Sequence, residues 1–153
     1  MFKNKITLSV WRKLYRRMEI LWEKINRLDF STVIPVADLG LDESLVGKGS
    51  PSCNKYLVQL FNMLNITSND RILDIGCAKK GGAMRCMTKF SFSKIDGIEI
   101  SDILSNIVTN NFVRLNEQRV GIKNIDASEF LGYRHYNFFI FITHSQKKSW
   151  RRC

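Results

Sequence analysis

The residue types that can do chemistry fall in one short run and in one acid further along the chain. The run Asp74-Ile75-Gly76-Cys77-Ala78-Lys79-Lys80-Gly81-Gly82 joins an acid to a glycine that lets backbone approach a ligand closely, then to a glycine pair that frees the turn into a helix. A helix start presents unpaired N–H groups to anything polar or negative. Glu99 follows Asp74 by 25 residues and is the polar exception between Ile98 and Ile100. An acid placed there, at the end of a strand, can accept hydrogen bonds from both hydroxyls of a ribose. Each feature also has a plain structural reading, as a strand–helix turn and as a solvated carboxylate or helix cap. Taken together, they point to a ligand that contains a nucleoside. A dinucleotide is the competing ligand, but its loop wants Gly-x-Gly-x-x-Gly, and here the stretch reads Gly76-Cys77-Ala78-Lys79-Lys80-Gly81. An acid at Asp74 also suits a zwitterionic amino-acid moiety better than a diphosphate. His144 is a candidate general base with no acid after it in the chain, and the bystander reading is the stronger one. The four cysteines, at 53, 77, 86 and 153, form no Cys-x-x-Cys pair, so no metal site is expected.

These residues need strands and helices to bring them together. Arg71–Ile75 reads as a strand, Gly82–Phe90 as a helix, Lys94–Ile100 as a second strand, and Ser101 and Asp102 as the cap of a helix carrying Ile103, Leu104, Ile107, Val108, Phe112 and Leu115. Val120–Ile125 is a weaker third strand and Ser128–Leu131 at most a helical turn. Tyr136–Thr143 is a fourth strand, apolar without alternation and so expected to be buried on both faces. Alternating strands and helices predict a parallel α/β sheet with helices on both faces. Ligands of such sheets bind beyond the carboxyl ends of the strands, where the motif residues lie.

Upstream, Pro51 and Ser52 precede a helix with Tyr56, Leu57, Leu60, Phe61 and Leu64 on one side. Residues 9–28 form an amphipathic helix in which Val10, Trp11, Leu14, Tyr15, Met18, Leu21, Trp22 and Ile25 recur at helical spacing, with Arg12, Lys13, Arg16 and Arg17 mostly between them. Packing on its own domain or on a partner is expected to bury Trp11 or Trp22, and a membrane surface is the alternative.

The chain has 153 residues, enough for one domain with a real core, and is 44% hydrophobic and 25% charged, which fits neither disorder nor a membrane protein. Its formal charge of +10 is concentrated at the ends: residues 1–30 hold eight basic and three acidic residues. General solubility accounts for that charge, and weak attraction to nucleic acid or an anionic membrane is the sharper reading. Free thiols and the lack of a secretory pattern in the first ten residues predict a cytoplasmic protein.

From about Cys53 to Phe141 the sequence resembles the class I S-adenosylmethionine-dependent methyltransferases. In that family the first strand ends Asp/Glu-x-Gly-x-Gly-x-Gly; here Asp74 and Gly76 match, while Ala78 and Lys80 stand where glycines are usual. The resemblance implies a Rossmann-like parallel sheet flanked by helices, of strand order 3-2-1-4, and S-adenosyl-L-methionine as cofactor. It implies that Asp74 holds the methionine amino group, that Gly76, followed by Cys77, makes room for the cofactor, and that Glu99 binds the ribose hydroxyls. Ile100 would lie against the adenine ring, with Asp126 near the adenine amino group and Ala127 beside it. The reaction implied is methyl transfer to an unidentified acceptor, whether protein, nucleic acid or small molecule. Three parts follow: residues 1–52, an amphipathic helix and loop; residues 53–145, the first half of a cofactor-binding domain; and residues 146–153, a basic irregular tail. The family domain runs on past its fourth strand, so the reading is of an incomplete domain. It is either a cofactor-binding fragment or an inactive remnant that serves as an interaction module. Its fourth strand would be left as an edge open to self-association.

Overall fold

A computed structural model of the protein describes residues 3–31, 34–39, 55–77 and 81–141. Helix α1 spans Lys3–Ile25 and α2 Lys55–Met63. Strand β1 (Arg71–Ile75), helix α3 (Gly82–Met87), strand β2 (Lys94–Glu99), helix α4 (Asp102–Arg114), strand β3 (Val120–Asn124) and strand β4 (Phe138–Phe141) follow. Short 3-10 turns lie at Val36–Leu39, Ala127–Glu129 and Tyr133–His135.

The strands form one parallel sheet in the order β3-β2-β1-β4, as the resemblance implies. Register is pinned at the start of the strands. The Asp70 carboxylate closes the preceding turn by accepting from the Thr67 amide at 2.7 Å, and the Asn137 side chain accepts from the Arg71 amide at 2.7 Å, tying β4 to β1. Arg119 donates to the carbonyls of Thr88, Phe90 and Phe92 at 2.8–3.2 Å, which fastens the α3–β2 turn to the start of β3.

The two faces of the sheet are covered differently. Ile72, Ile95, Phe138, Ile140, Val120 and Ile122 meet Phe61 of α2, Ala83, Met84 and Met87 of α3, and Val108 and Phe112 of α4. Among the described residues, Leu73 and Ile98, on the other face, meet the segment from Ile125 to Tyr136 with its two 3-10 turns. Chain direction explains this. The crossovers β1 to β2 and β2 to β3 step the same way across the sheet, so right-handedness puts both on one face; the return from β3 to β4 lies on the other. The expected helices on both faces are therefore α-helices on one face and single 3-10 turns on the other.

One expectation about β4 is corrected. Its residues alternate, with Phe138 and Ile140 half-buried and Phe139 and Phe141 49% and 66% exposed, because β4 is an edge strand whose second face has little covering it among the described residues.

Candidate functional site

At the carboxyl edge of the sheet, three strand ends are knitted together by main chain. The amides of Gly76 and Cys77 both donate to the Ile98 carbonyl, at 2.9 and 3.1 Å, which turns the end of β1 over β2. The Ile125 amide donates to the Glu99 carbonyl at 3.2 Å, which brings the end of β3 alongside. In the register of the sheet Asp74 pairs with Gly97, and Glu99 lies two residues further along β2. Side chains two apart share a face, so the carboxylates of Asp74 and Glu99 issue from the same side of neighbouring strands.

Both acids are buried, at 3% exposure each. Burial, with the nearby Glu99 charge adding to it, pushes the Asp74 carboxyl up to about 7. Burial also raises Glu99, partly offset by its hydrogen bonds. The Ser101 amide fixes Glu99 by donating to Oε1 at 2.9 Å, and Oε2 is left buried with no hydrogen-bond partner among the described residues. A buried acceptor without a partner costs about 1–3 kcal/mol, more when charged, unless something fills it. Gly76 has φ 74° and, among the described residues, nothing within 4 Å of the place where a Cβ would stand.

The remaining expected residues differ in their surroundings, and Ala127 packs with Leu73, Ile98 and Tyr136 on the other face of the sheet. The Cys77 thiol belongs to the core, packed against Gly97 and Met84, and burial followed by the charges of Asp74 and Glu99 raises it well above its usual range. Its amide and carbonyl are both engaged, to Ile98 and from Gly81. Ile100 is 50% exposed at the rim. Asp126 is exposed and outside the buried pair. Its Oδ1 accepts from the Ser128 amide and hydroxyl, both at 2.7 Å, capping the turn Ala127–Glu129 and holding its pKa down. The Ala127 carbonyl accepts from the Tyr133 hydroxyl at 2.6 Å. Ala78, Lys79, Lys80 and His144, and the tail after Phe141, lie outside the described residues.

Two contributors escaped the sequence reading. Ser101 was expected only as a helix cap, and it does accept from the Leu104 amide at 3.4 Å; its own amide also orients Glu99, a role for which Glu-x-Ser spacing is the available signal. Gly97 is the other. A Cβ there would stand 2.7 Å from the Cys77 sulfur and 2.8 Å from that of Met84, so its bare backbone lets the loop after β1 fold down onto β2.

No protein-family model matches the chain, and no curated protein matches it. Solved structures do resemble it. The YcgJ protein from Bacillus subtilis is 13% identical, with 51% of this chain and 33% of that one covered at a TM-score of 0.45. A putative S-adenosyl-L-methionine-dependent methyltransferase from Methanococcus maripaludis is 23% identical, with 50% and 34% covered and a TM-score of 0.44. A putative RNA methyltransferase from Pyrococcus horikoshii is 16% identical, with 49% and 36% covered and a TM-score of 0.43. The aligned part thus spans about a third of each of these proteins. The chain's own sheet is parallel, in the order β3-β2-β1-β4 with helices packed on it, which is the strand order that the resemblance implies.

Proposed function

We propose that the carboxyl edge of β1 and β2 binds S-adenosyl-L-methionine and that the chain is the cofactor-binding part of a methyltransferase. The observation that carries this is Glu99, held by the Ser101 amide through one oxygen while the other is buried and unpartnered among the described residues. A vicinal diol supplies the donors that this oxygen lacks. Asp74, kept close to neutral by burial, is suited to a cationic amine, whose arrival would favour the ionised acid. The space that the described residues leave at Gly76 gives room for the ligand's chain next to Asp74. Ile100 offers an apolar surface at the rim, and the Ile125–Glu99 main-chain bond ties the end of β3, which Asp126 and Ala127 follow, to the end of β2.

When bound, S-adenosyl-L-methionine supplies an electrophilic methyl group on a sulfonium. The residues of this chain bind and orient it: Glu99 by its ribose, Asp74 by its ammonium, and the Gly76 turn by close backbone approach. The acceptor is protein, nucleic acid or small molecule.

Calorimetric titration with S-adenosyl-L-methionine and with S-adenosylhomocysteine tests the reading. The wild type is expected to bind both, and Glu99→Ala to lose about ten- to a hundredfold in affinity, since one charge-assisted hydrogen bond contributes about 1.5–3 kcal/mol. Equal affinity in the variant removes Glu99 from this role. No binding by a folded wild type overturns the proposal and favours a scaffold that keeps the fold without the ligand.

A further inference from the structure

Helix α1 meets its own domain with its charged side. Glu23 is buried and Glu19 half-buried, and Arg85 of α3 pairs with them at 3.8 and 3.5 Å. The Ser31 hydroxyl donates to Glu23 at 2.8 Å, and the Arg85 guanidinium lies 4.9 Å from the Trp22 ring and 5.0 Å from the Phe30 ring. Just beyond the helix, the buried Asn111 side chain of α4 donates to the Asp29 carbonyl at 2.9 Å and accepts from its amide at 2.8 Å. These contacts fix the rotation of α1, and they turn its apolar side outward. Val10, Trp11, Leu14, Tyr15, Met18, Leu21, Trp22 and Ile25 are all between 40% and 72% exposed. The expectation that a tryptophan of this helix is buried against apolar neighbours is thereby corrected: the ionic clamp, not the apolar stripe, determines which side faces inward.

At 100° per residue these eight side chains fill one continuous arc of about 140°. Exposed Lys13, Arg17 and Lys24 flank that arc at its Val10 edge, and Arg16 lies further round the polar side. None of the four is paired with an acid among the described residues, because the only acids of the helix, Glu19 and Glu23, are engaged by Arg85. An outward apolar arc with aromatic residues, bordered by free cations, is complementary to a surface that is apolar beneath and anionic on top. No described helix is long and apolar enough to cross a membrane. We propose that α1 lies in the headgroup region of an anionic lipid membrane, with Trp11, Leu14, Met18 and Trp22 inserted and Lys13, Arg17 and Lys24 on lipid phosphates, and so docks the domain on the membrane.

The test is co-sedimentation of the full chain with vesicles of phosphatidylcholine alone and of phosphatidylcholine with about 30% phosphatidylglycerol, a fraction chosen to give a strongly anionic surface. The wild type is expected to bind the anionic vesicles at low salt and to lose most of that binding at about 0.5 M salt, where the Debye length falls to a few ångströms. In a Trp150→Phe background, binding is expected to shift the emission of Trp11 and Trp22 to shorter wavelength. Lys13→Gln with Arg17→Gln should weaken binding by roughly fivefold per charge removed, and Trp11→Ser with Met18→Ser should abolish it. Both pairs are exposed, so circular dichroism should show the fold retained. Phe139→Ser with Phe141→Ser, on the exposed side of β4, should bind as wild type does. Absence of binding to anionic vesicles at low salt overturns the proposal. So does loss of binding in the β4 variant but not in the α1 variant. A concentration-dependent dimer that Trp11→Ser with Met18→Ser dissolves, in protein that binds no vesicles, assigns the face to a second copy instead.

Discussion

A carboxyl group at Asp74 has two ways to exist where it is: neutral, or facing a cation. Its neighbours on β1 and β2 are apolar or are themselves an acid, and that is why burial moves it up to about 7. The sign of the consequence for stability follows. The folded state holds this proton more tightly than the unfolded chain, in which an aspartate ionises near 3.8. Its stabilising contribution is therefore complete below about pH 4 and is lost as pH rises to about 7. Urea denaturation between those limits should show stability falling by up to about 1.4 kcal/mol per pH unit from this group. Asp74→Asn should flatten the slope, leaving the smaller part that the raised Glu99 adds in the same direction. A slope unchanged in the variant would mean that Asp74 ionises normally in the folded protein. The sequence makes the position of this acid legible, because Asp74 stands immediately before Ile75-Gly76 at the end of an apolar run. It does not make legible the isolation of Glu99 Oε2, which depends on a main-chain amide two residues away.

Among the elements, the strand limits were readable where polar turn chemistry marks them, and less so elsewhere. β1 starts and stops where the sequence says, between the Asp70 turn and Gly76, and β2 ends one residue before the expected Ile100 because Ser101 has begun the cap of α4. α3 stops at Met87 and not at Phe90, since the carbonyls of Thr88, Phe90 and Phe92 are taken by Arg119 from 27 to 31 residues away, a contact that no local pattern encodes. The two positive-φ glycines of the β1–α3 connection separate positioning from ligand space. Gly81, at φ 78°, has Phe112 and Val108 at 2.7 and 2.9 Å from the place of a Cβ; Gly76, at φ 74°, has nothing there among the described residues. An alanine at Gly81 meets backbone strain and overpacking together, for a loss of about 2–4 kcal/mol. At Gly76 it meets strain alone, about 1–2 kcal/mol. Chemical denaturation of the two variants should rank them in that order. Equal losses would show that α4 yields to the added methyl and that the close packing at Gly81 is not a constraint.

For the molecule as a whole, the N-terminal segment is attached to the sheet domain by a few polar contacts more than by a shared apolar surface. Sequence periodicity identified α1 and its stripe but could not identify its inner face, because that is chosen by Arg85, which comes 60 residues after the helix ends. The attachment has two parts, the Arg85 clamp on the helix and the Asn111 pair on Asp29 with Leu28 and Phe30 beside it. Arg85→Ala removes the first and leaves Glu23 buried with Ser31 as its remaining partner. The loss should be about 1–3 kcal/mol: stacking on two rings and a partly exposed ion pair contribute modestly, and a stranded buried carboxylate adds to them. Its effect should be local. Hydrogen exchange in the variant is expected to speed up across residues 10–25, while β1, β2 and β4 keep wild-type protection because no described side chain of α1 belongs to the clusters that hold Ile72, Leu73, Ile95 and Ile98. Uniformly faster exchange would show instead that α1 and the sheet unfold as one unit. A double variant that adds Asn111→Ala separates the two attachments further, since it should release residues 26–31 as well and make the chain there sensitive to proteolysis while the sheet stays protected.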